Sequence, residues 1–226
     1  PGAADRSYGI QVAKLAGLFS DEDGDADAVT YGLDAVEAFL EPSAGEDGVC
    51  GEFFRPEDLP SALAWKRGPR GLHIQLPAEA ELDEPVIVPI EGKGADKRAF
   101  GQILIEAQPH SRGTIVLDHT GSAQYAQNVE IIVRDGASLT VISLQRWDDD
   151  AVHASAHQAT VGADATLKHF VISFGGGVVR VNPSVELTGA GSEGYLYGLS
   201  YADAGQHLES QVYLHHKGPH TKGDVL

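Results

Sequence analysis

The sequence is poor in cysteine and in basic residues. Cys50 is the only cysteine among 226 residues, which excludes an internal disulfide and any CxxC metal motif. Sixteen Lys and Arg against 33 Asp and Glu give a formal net charge of -17, which repels phosphate backbones and anionic lipid surfaces. We therefore expect neither nucleic acid nor a membrane surface among the partners of this chain.

Long apolar runs and nucleotide-binding motifs are also missing from the sequence. No apolar run approaches the roughly 18 residues of a membrane span, and the opening PGAADRSYGI lacks the basic and apolar regions of a secretion signal. No GxxxxGK[ST] loop is present to bind nucleotide phosphates, so any need for ATP would fall to a partner. These features predict a soluble cytoplasmic protein in a reducing compartment.

The first forty residues carry a helical pattern. Apolar residues between positions 8 and 40 recur at mixed three- and four-residue spacing, which predicts short helices. The acidic stretch DEDGDAD at 21–27 interrupts them and lacks the spaced ligands and closing glutamate of a calcium-binding EF-hand. We interpret it as a solvated loop.

Residues 41–70 contain four prolines and several glycines, which predicts connecting segments with one short helix from Glu57 to Trp65. The character of the sequence changes at about residue 70. We therefore divide the chain into a helical and loop region, residues 1–69, and a second region, residues 70–226.

The second region is filled with short apolar or alternating runs, which predict β-strands. Gly, Asp, Asn and Ser separate these runs, and no helix of a dozen residues stands between them as a crossover. The runs are LHIQL, PVIVPI, QILIEA, GTIVLDH, VEIIV, SLTVISL, ATLKHFVISF, VVRV, SVELTG, YLYGLSY and SQVYLHH.

Some of these runs repeat. Leu139 in GASLTVIS corresponds to Leu167 in ADATLKHFVIS, 28 residues later, and to Gly194 in GSEGYLYGLS, a further 27 residues on. A second short strand and a tight Asp-Gly or Gly-Ala corner precede each unit. A repeat of this kind favours a parallel β-helix, in which each unit forms one turn of the coil. An antiparallel sandwich is the alternative.

The repeat also predicts which side chains fill the coil. We expect Val141 and Val171, with Leu199 at the equivalent position, to stack inside at successive turns. Trp65 and Trp147 are interpreted as packing anchors.

Four histidines lie close together in QHLESQVYLHHKGPHT at 206–221. On one strand His215 and His216 point to opposite faces, while His207 and His215 share a face but lie about 26 Å apart. Ligands of one zinc lie within about 2 Å of the ion, so a single strand cannot bring these residues together. If the Gly-Pro dipeptide turns the chain, His216 and His220 converge as candidate metal ligands; otherwise they are polar residues at a strand end.

Two enzyme hypotheses remain open from the residues alone, and we assign no catalytic residue. A polysaccharide-active β-helix enzyme would need paired carboxylates, and Asp148 and Asp150 in WDDDAVH would share a strand face unless this stretch is a solvated turn. A metal-dependent β-barrel enzyme would use histidines from separate strands. Its candidates are His207, His215, His216 and His220.

Residues 170–226 carry a long ordered pattern of motifs. It begins with the glycine-rich turn and arginine of GGGVVR, where Arg180 could face an anionic partner or, as we expect, pair with a carboxylate. The later motif residues are Gly198-Leu199, Gln206-His207 with Glu209, His216, and Pro219-His220-Thr221. The whole pattern resembles the SufB/SufD family of iron-sulfur cluster assembly proteins.

Two upstream stretches, RGLHIQLPAEAELDEPVIVP at 70–89 and SLQRWDDDAVH at 143–153, fit the same family. The resemblance covers about residues 55–226. The acidic N-terminal section is more similar to SufD than to SufB.

The resemblance implies a right-handed parallel β-helix with short helical parts, acting as a non-catalytic scaffold subunit with SufB and the ATPase SufC. A transient iron-sulfur cluster would form in the full complex; with one thiol, this chain alone is expected to hold no cofactor. A homodimer of the isolated chain is a further option. Because the family continues past the motif that ends here, the resemblance also implies a coil that is incomplete at its C-terminal end, and it transfers no cluster ligand to the histidines present.

Overall fold

The computed structural model describes residues 24–25, 27–32, 40–42, 51–68 and 71–226. One helix, α1, runs over Leu59–Arg67. The strands are β1 (Val29–Tyr31), β2 (Leu40–Pro42), β3 (Gly71–Leu76), β4 (Val86–Ala107), β5 (Arg112–Val133), β6 (Ser138–Trp147), β7 (Val152–Val161), β8 (Thr166–Ser173), β9 (Val178–Leu187), β10 (Glu193–Ser200), β11 (His207–Glu209), β12 (Tyr213–His216) and β13 (Lys222–Val225).

These strands wind into a parallel coil with two walls. Each turn contributes one stretch of strand to each wall, and β4 and β5 are long enough to bend round a corner and enter both. The first ladder consists of residues 86–93 of β4, residues 112–121 of β5, and then β6, β8, β10 and β13. The second ladder consists of β3, residues 98–107 of β4, residues 124–133 of β5, then β7, β9, and β11 with β12. All neighbours within the ladders are parallel, so the β-helix prediction is confirmed.

The register confirms the repeat. Leu139 lies beside Leu167, and Leu167 lies beside Gly194. A side chain on Gly194 would place its Cβ 3.0 Å from Leu187 Cδ2 and 3.2 Å from Leu214 Cδ1. The glycine therefore occupies a position where the opposite wall already fills the interior.

Stacked turns form one corner of the coil. The amide of His110 donates to the carbonyl of Asp135, that of Gly136 to Ala163, and that of Asp164 to Ala190. Gly136 has a φ of 69°, in the left-handed region that favours glycine, so the predicted Asp-Gly corner is confirmed. Each corner is thus hydrogen-bonded to the next turn along the coil axis.

The predicted stack of valines is partly wrong. Val141 and Val171 are both buried, but Val141 lies beside His169, and Val171 lies beside Ser143 and Gly198. Leu199 is 56% exposed because it lies beside Ile172, on the outer side of the ladder. The three residues therefore do not form one interior column.

The N-terminal region contributes strands as well as a helix. β1 pairs antiparallel with β4, and β2 pairs antiparallel with β3, so the helical prediction is wrong for residues 29–31 and for Leu40. The other residues of the predicted 8–40 helical pattern, apart from 24–25, 27–28 and 32, lie outside the described residues, as does Cys50. Asp25 and Asp27 of the acidic stretch bind the Arg98 amide and the Lys97 ammonium of β4. The division at residue 69 stays a prediction.

Helix α1 was predicted two residues early at each end. It begins after Asp58, whose side chain accepts a hydrogen bond from the amide of Ser61, while the Ser61 hydroxyl bonds back to the amide of Asp58. Within the described part of the chain, no helix is long and apolar enough to cross a membrane.

The strap, residues 51–58, leads into α1 and lies with it on the outer face of the second ladder. The buried carboxylate of Glu130 accepts hydrogen bonds from the amides of Gly51, Phe53 and Phe54. Gln158 bonds both the amide and the carbonyl of Arg55, at 2.8 and 2.7 Å. Below α1, an apolar cluster joins Leu63, Ala64, Phe100, Ala126 and Ala154.

The tryptophans occupy different environments. Trp147 is buried in the coil, as predicted. Trp65 is 37% exposed, and its ring stacks on Phe54 with 5.8 Å between centroids. Trp65 therefore anchors the strap to α1 and contributes nothing to the interior.

Candidate functional site

The middle of the coil is lined with polar side chains, although the coil is apolar on either side. In β7 the inward positions follow the two-residue period of a strand, so His153, Ser155 and His157 enter the interior. The remaining polar lining comes from β5, β6 and β8: His119, Tyr125, Gln127, Ser143, Gln145, His169 and Ser173. The earlier turns present Ile90 and Ile103 to the interior, and the later turns present Val181 and Leu196.

A chain of hydrogen bonds crosses this polar interior. Gln127 Nε2 donates to the hydroxyl of Tyr125 at 3.2 Å, and that hydroxyl lies 2.6 Å from the hydroxyl of Tyr31. Gln127 Oε1 accepts from Ser155 Oγ and lies 3.2 Å from His119 Nε2. Because Oε1 can only accept, this arrangement places the proton of His119 on Nε2.

Gln145 continues the network on the other side of His119. Its Oε1 accepts from Trp147 Nε1 at 2.7 Å, and its Nε2 donates to Ser143 Oγ at 2.8 Å. The same Nε2 lies 3.3 Å from His119 Nδ1, the nitrogen that carries the lone pair in this tautomer. Most polar atoms on this side are therefore satisfied within the coil.

His157 on β7 and His169 on β8 bring two imidazoles into contact across the interior. His157 Nδ1 is 2.9 Å from His169 Nε2, and the two rings meet edge to face at 89°. The other nitrogens of these rings, His157 Nε2 and His169 Nδ1, are buried without a partner, as is His153 Nε2. His153 Nδ1 lies 3.2 Å from the carbonyl of Tyr125.

Burial keeps the interior groups uncharged. Desolvation lowers the pKa of His119 and His169 from 6.5 to about 4, and the pKa of His153 and His157 falls well below 6.5. It also raises the pKa of the Tyr125 phenol well above 10. At neutral pH the described interior residues therefore offer neutral donors and acceptors and no charged group.

The arrangement does not form a metal centre ready to bind. Among the residues that the structure describes, no three His, Cys, Asp or Glu side chains converge on a point that could hold an ion. The imidazoles approach in pairs, as in the His157–His169 contact.

The C-terminal histidines lie on two short strands and in the turn that follows them. His207 lies 3.3 Å from Glu209 on β11, and the ring of His215 stacks on Tyr213 on β12. His216 is exposed and its Nδ1 lies 2.7 Å from Thr221 Oγ1, while His220 is exposed in the turn before β13. A metal role for His216 and His220 stays a prediction, but a β-barrel built around these residues is wrong, because β11, β12 and β13 belong to the parallel coil.

The three aspartates after Trp147 lie in a turn. Asp149 accepts from Gln206 Nε2 at 2.8 Å, and Asp150 accepts from Ser122 Oγ at 2.6 Å. The turn interpretation is therefore confirmed, and Asp148 and Asp150 do not lie together on a strand face.

Arg180 forms the predicted ion pair. Its guanidinium binds the carboxylate of Asp58, the residue that caps α1. The arginine of the glycine-rich motif thus ties the second ladder to the helix that covers it.

Sequence reasoning missed the four interior histidines. They are spread over 51 positions and form no local motif, whereas the dense C-terminal group attracts notice. The signal that could have found them is their inward phase: each lies an even number of residues from an apolar interior residue of its own strand.

Comparison with known proteins identifies relatives of the coil. Residues 90–226 match the family described as SUF system FeS cluster assembly, SufBD core domain. An iron-sulfur cluster assembly SufBD family protein of Mycobacterium tuberculosis is 37% identical over 186 residues, which is 82% of this chain and 45% of that protein. A SufBD family protein of Mycobacterium leprae is 37% identical over 180 residues, 80% of this chain and 46% of its own length.

A more distant relative carries a more specific name. The iron-sulfur cluster assembly protein SufB of Bacillus subtilis is 22% identical over 172 residues, 74% of this chain and 36% of SufB. The chain spans about half the length, or less, of the curated relatives it matches.

Proposed function

This chain belongs to the SufBD family of the SUF system, and from that premise we propose that it is a non-catalytic, SufD-like scaffold subunit of iron-sulfur cluster assembly. In this proposal it acts with a SufB-like protein and a SufC-like ATPase. The iron-sulfur cluster is cargo that forms transiently in the full complex and is not held by this chain alone.

One observation carries the proposal: the matched segment and the coil coincide. The family match begins at residue 90, inside β4, and extends to residue 226, one residue after β13. It therefore includes most of both ladders, so the part of the chain that matches the family model is the part that forms most of the coil.

The chemistry of the described residues supports a scaffold. The carboxylates of Asp149 and Asp150 accept hydrogen bonds from Gln206 and Ser122, and the interior imidazoles are neutral and buried. A rigid coil with two extended outer faces is suited to holding other subunits at fixed separations.

The assignment to SufD and to a cytoplasmic setting is the finer part of the proposal. The acidic N-terminal section favours SufD, and the single cysteine is in keeping with a reducing compartment.

Co-purification tests the proposal. The tagged chain would be expressed together with the SufB-like and SufC-like proteins of the same source, and the purified material analysed for bound protein, iron and acid-labile sulfide. We expect the SufB-like protein to co-purify, and we expect iron and sulfide in equal amounts only when it is present.

A variant with a disrupted interior, Val171→Asp, provides the negative control for specific capture. The proposal fails if the folded chain captures neither partner, or if the chain alone holds a stoichiometric cluster.

A further inference from the structure

The imidazole cluster, His119, His153, His157 and His169, is enclosed in a part of the coil that offers no counter-charge. Among the described residues, the other titratable groups facing this interior are the phenols of Tyr31 on β1 and Tyr125 on β5. The inward residues of β4, β6, β9 and β10 carry no titratable group. The nearest carboxylate in sequence, Asp118, points to the outer face and is bound by Arg146.

The hydrogen bond between His157 and His169 forms only while at least one of the two facing nitrogens is unprotonated. A bond between His157 Nδ1 and His169 Nε2 at 2.9 Å needs one N–H and one lone pair. One added proton goes to a distal nitrogen, which is buried without a partner, and leaves a positive charge there. A second added proton places two N–H groups against each other, so the bond is lost.

Protonation is also unfavourable for the neighbouring rings of His119 and His153. The two ring centroids are 5.0 Å apart, so two imidazolium rings would repel each other in a region of low dielectric constant. His153 donates through Nδ1 to the carbonyl of Tyr125, and a proton added at Nε2 would find no acceptor. A proton added to Nδ1 of His119 would have an acceptor, because the carbonyl oxygen of Leu144 lies 3.2 Å from that nitrogen.

We propose that the imidazole cluster is a proton-operated lock, which holds the two walls of the central coil together while its four rings are neutral and releases them when the rings take up protons. The described walls carry no other charged group in this interior, so protonation of the four imidazoles alone controls whether the walls stay together.

The direction of the effect follows from proton linkage. In the unfolded chain each histidine takes up a proton near its ordinary pKa of 6.5, whereas in the folded coil burial delays uptake by His119 and His169 to about pH 4. The unfolded state therefore binds more protons between these values, so stability is complete above pH 6.5 and falls as the pH decreases toward 4.

Chemical unfolding at pH 7.5 and pH 5.5 measures the lock. For a histidine with these pKa values, linkage predicts that the unfolding constant rises on the order of tenfold at the lower pH. Carboxylates with an ordinary pKa near 4 stay largely ionised at pH 5.5, so they contribute little. The wild-type unfolding constant should rise at least on the order of a hundredfold.

The variant His157→Gln with His169→Gln removes one pair from the lock, because glutamine amides can bond to each other and do not titrate. Its rise between the two pH values should be smaller than the wild-type rise by at least on the order of tenfold, which is the contribution of His169, and His157 adds to this difference. The matched control, His215→Gln with His220→Gln, alters two exposed histidines and should keep the full wild-type response. Equal pH responses in all three proteins would overturn the proposal.

If the interior variant does not fold, hydrogen exchange of the wild-type chain at pH 7.5 and pH 5.5 tests the lock. After correction for intrinsic rates, amide protection at pH 5.5 should fall more in β6, β7 and β8 than in β3 and β4. Uniform loss of protection, or no loss, would contradict the lock.

Discussion

The two ladders share one interior, but their outer faces differ. The outer face of the second ladder is covered by the strap and α1, which bury Glu130 and Asn128 against the coil. On the first ladder, Leu199 and Phe174 are exposed, and no described helix lies over them. Outward-facing residues are therefore buried under the strap and α1 on the second ladder and exposed to solvent on the first. The loss of stability caused by a substitution at an outward position thus depends on which ladder carries it.

The largest difference in stability is expected between a substitution on the inner side of β8 and one on the outer side of β10. Val171 is 4% exposed inside the coil and Leu199 is 56% exposed outside it. Val171→Asp should prevent folding, because an unpaired charge in this interior has no partner. Leu199→Asp should change the free energy of unfolding by less than about 0.5 kcal/mol. Circular dichroism with urea unfolding measures both, and cooperative unfolding of Val171→Asp near the wild-type midpoint would refute the assignment of sides.

The next contrast compares two carboxylates on the two outer faces. Glu130 binds three amides of the strap in a buried position, whereas Asp118 forms a partly exposed pair with Arg146. Glu130→Ala should lower the free energy of unfolding by about 3 to 5 kcal/mol, since buried amides lose a charged acceptor. Asp118→Ala should cost less than about 1 kcal/mol.

Denaturant unfolding measures both carboxylate variants, and limited proteolysis within residues 51–58 reports release of the strap. Glu130→Gln, which keeps one acceptor oxygen, should recover part of the loss. Equal losses for Glu130→Ala and Asp118→Ala would remove the distinction between the faces.

The smallest contrast compares two arginines. Arg180 binds Asp58 with little solvent exposure, and Arg146 binds Asp118 with half of its side chain exposed. Arg180→Met should cost about 1 to 2 kcal/mol, because the cap of α1 loses its charged partner. Arg146→Met should cost less than about 1 kcal/mol. A double-mutant cycle with Asp58→Asn isolates the first pair, and a coupling energy near zero would show that the strap does not depend on it.

The coil could be predicted from the sequence because strand alternation and the repeat agree. Leu139, Leu167 and Gly194 fall in the predicted register. The error at Val171 has a physical origin: its true neighbour Ser143 lies two residues from Val141, and a shift of two keeps the same side of the strand, so hydrophobic pattern alone does not reveal it. The error at Leu199 is a shift of one residue from Gly198, which changes the side.

The interior site was less accessible to prediction. His157 and His169 are 12 residues apart in sequence and lie on different walls, so their 2.9 Å contact exists only once the turn between β7 and β8 is formed. The strap was equally hidden, because a glutamate such as Glu130 in a strand is ordinarily solvated, and only the folded chain supplies the three amides that it binds.

Disulfide trapping tests the central claim, that successive turns stack in parallel at the offset of the repeat. Thr140 lies beside Lys168, 28 residues later, on the outer side of the first ladder. In a Cys50→Ser background, Thr140→Cys with Lys168→Cys should form a disulfide on mild oxidation, because neighbouring strands are about 4.8 Å apart. Thr140→Cys with Phe170→Cys should not, since that diagonal is about 8 Å and exceeds the reach of a disulfide. Cross-linking of the second pair in place of the first, detected by peptide mass spectrometry, would contradict stacking at the 28-residue offset of the repeat.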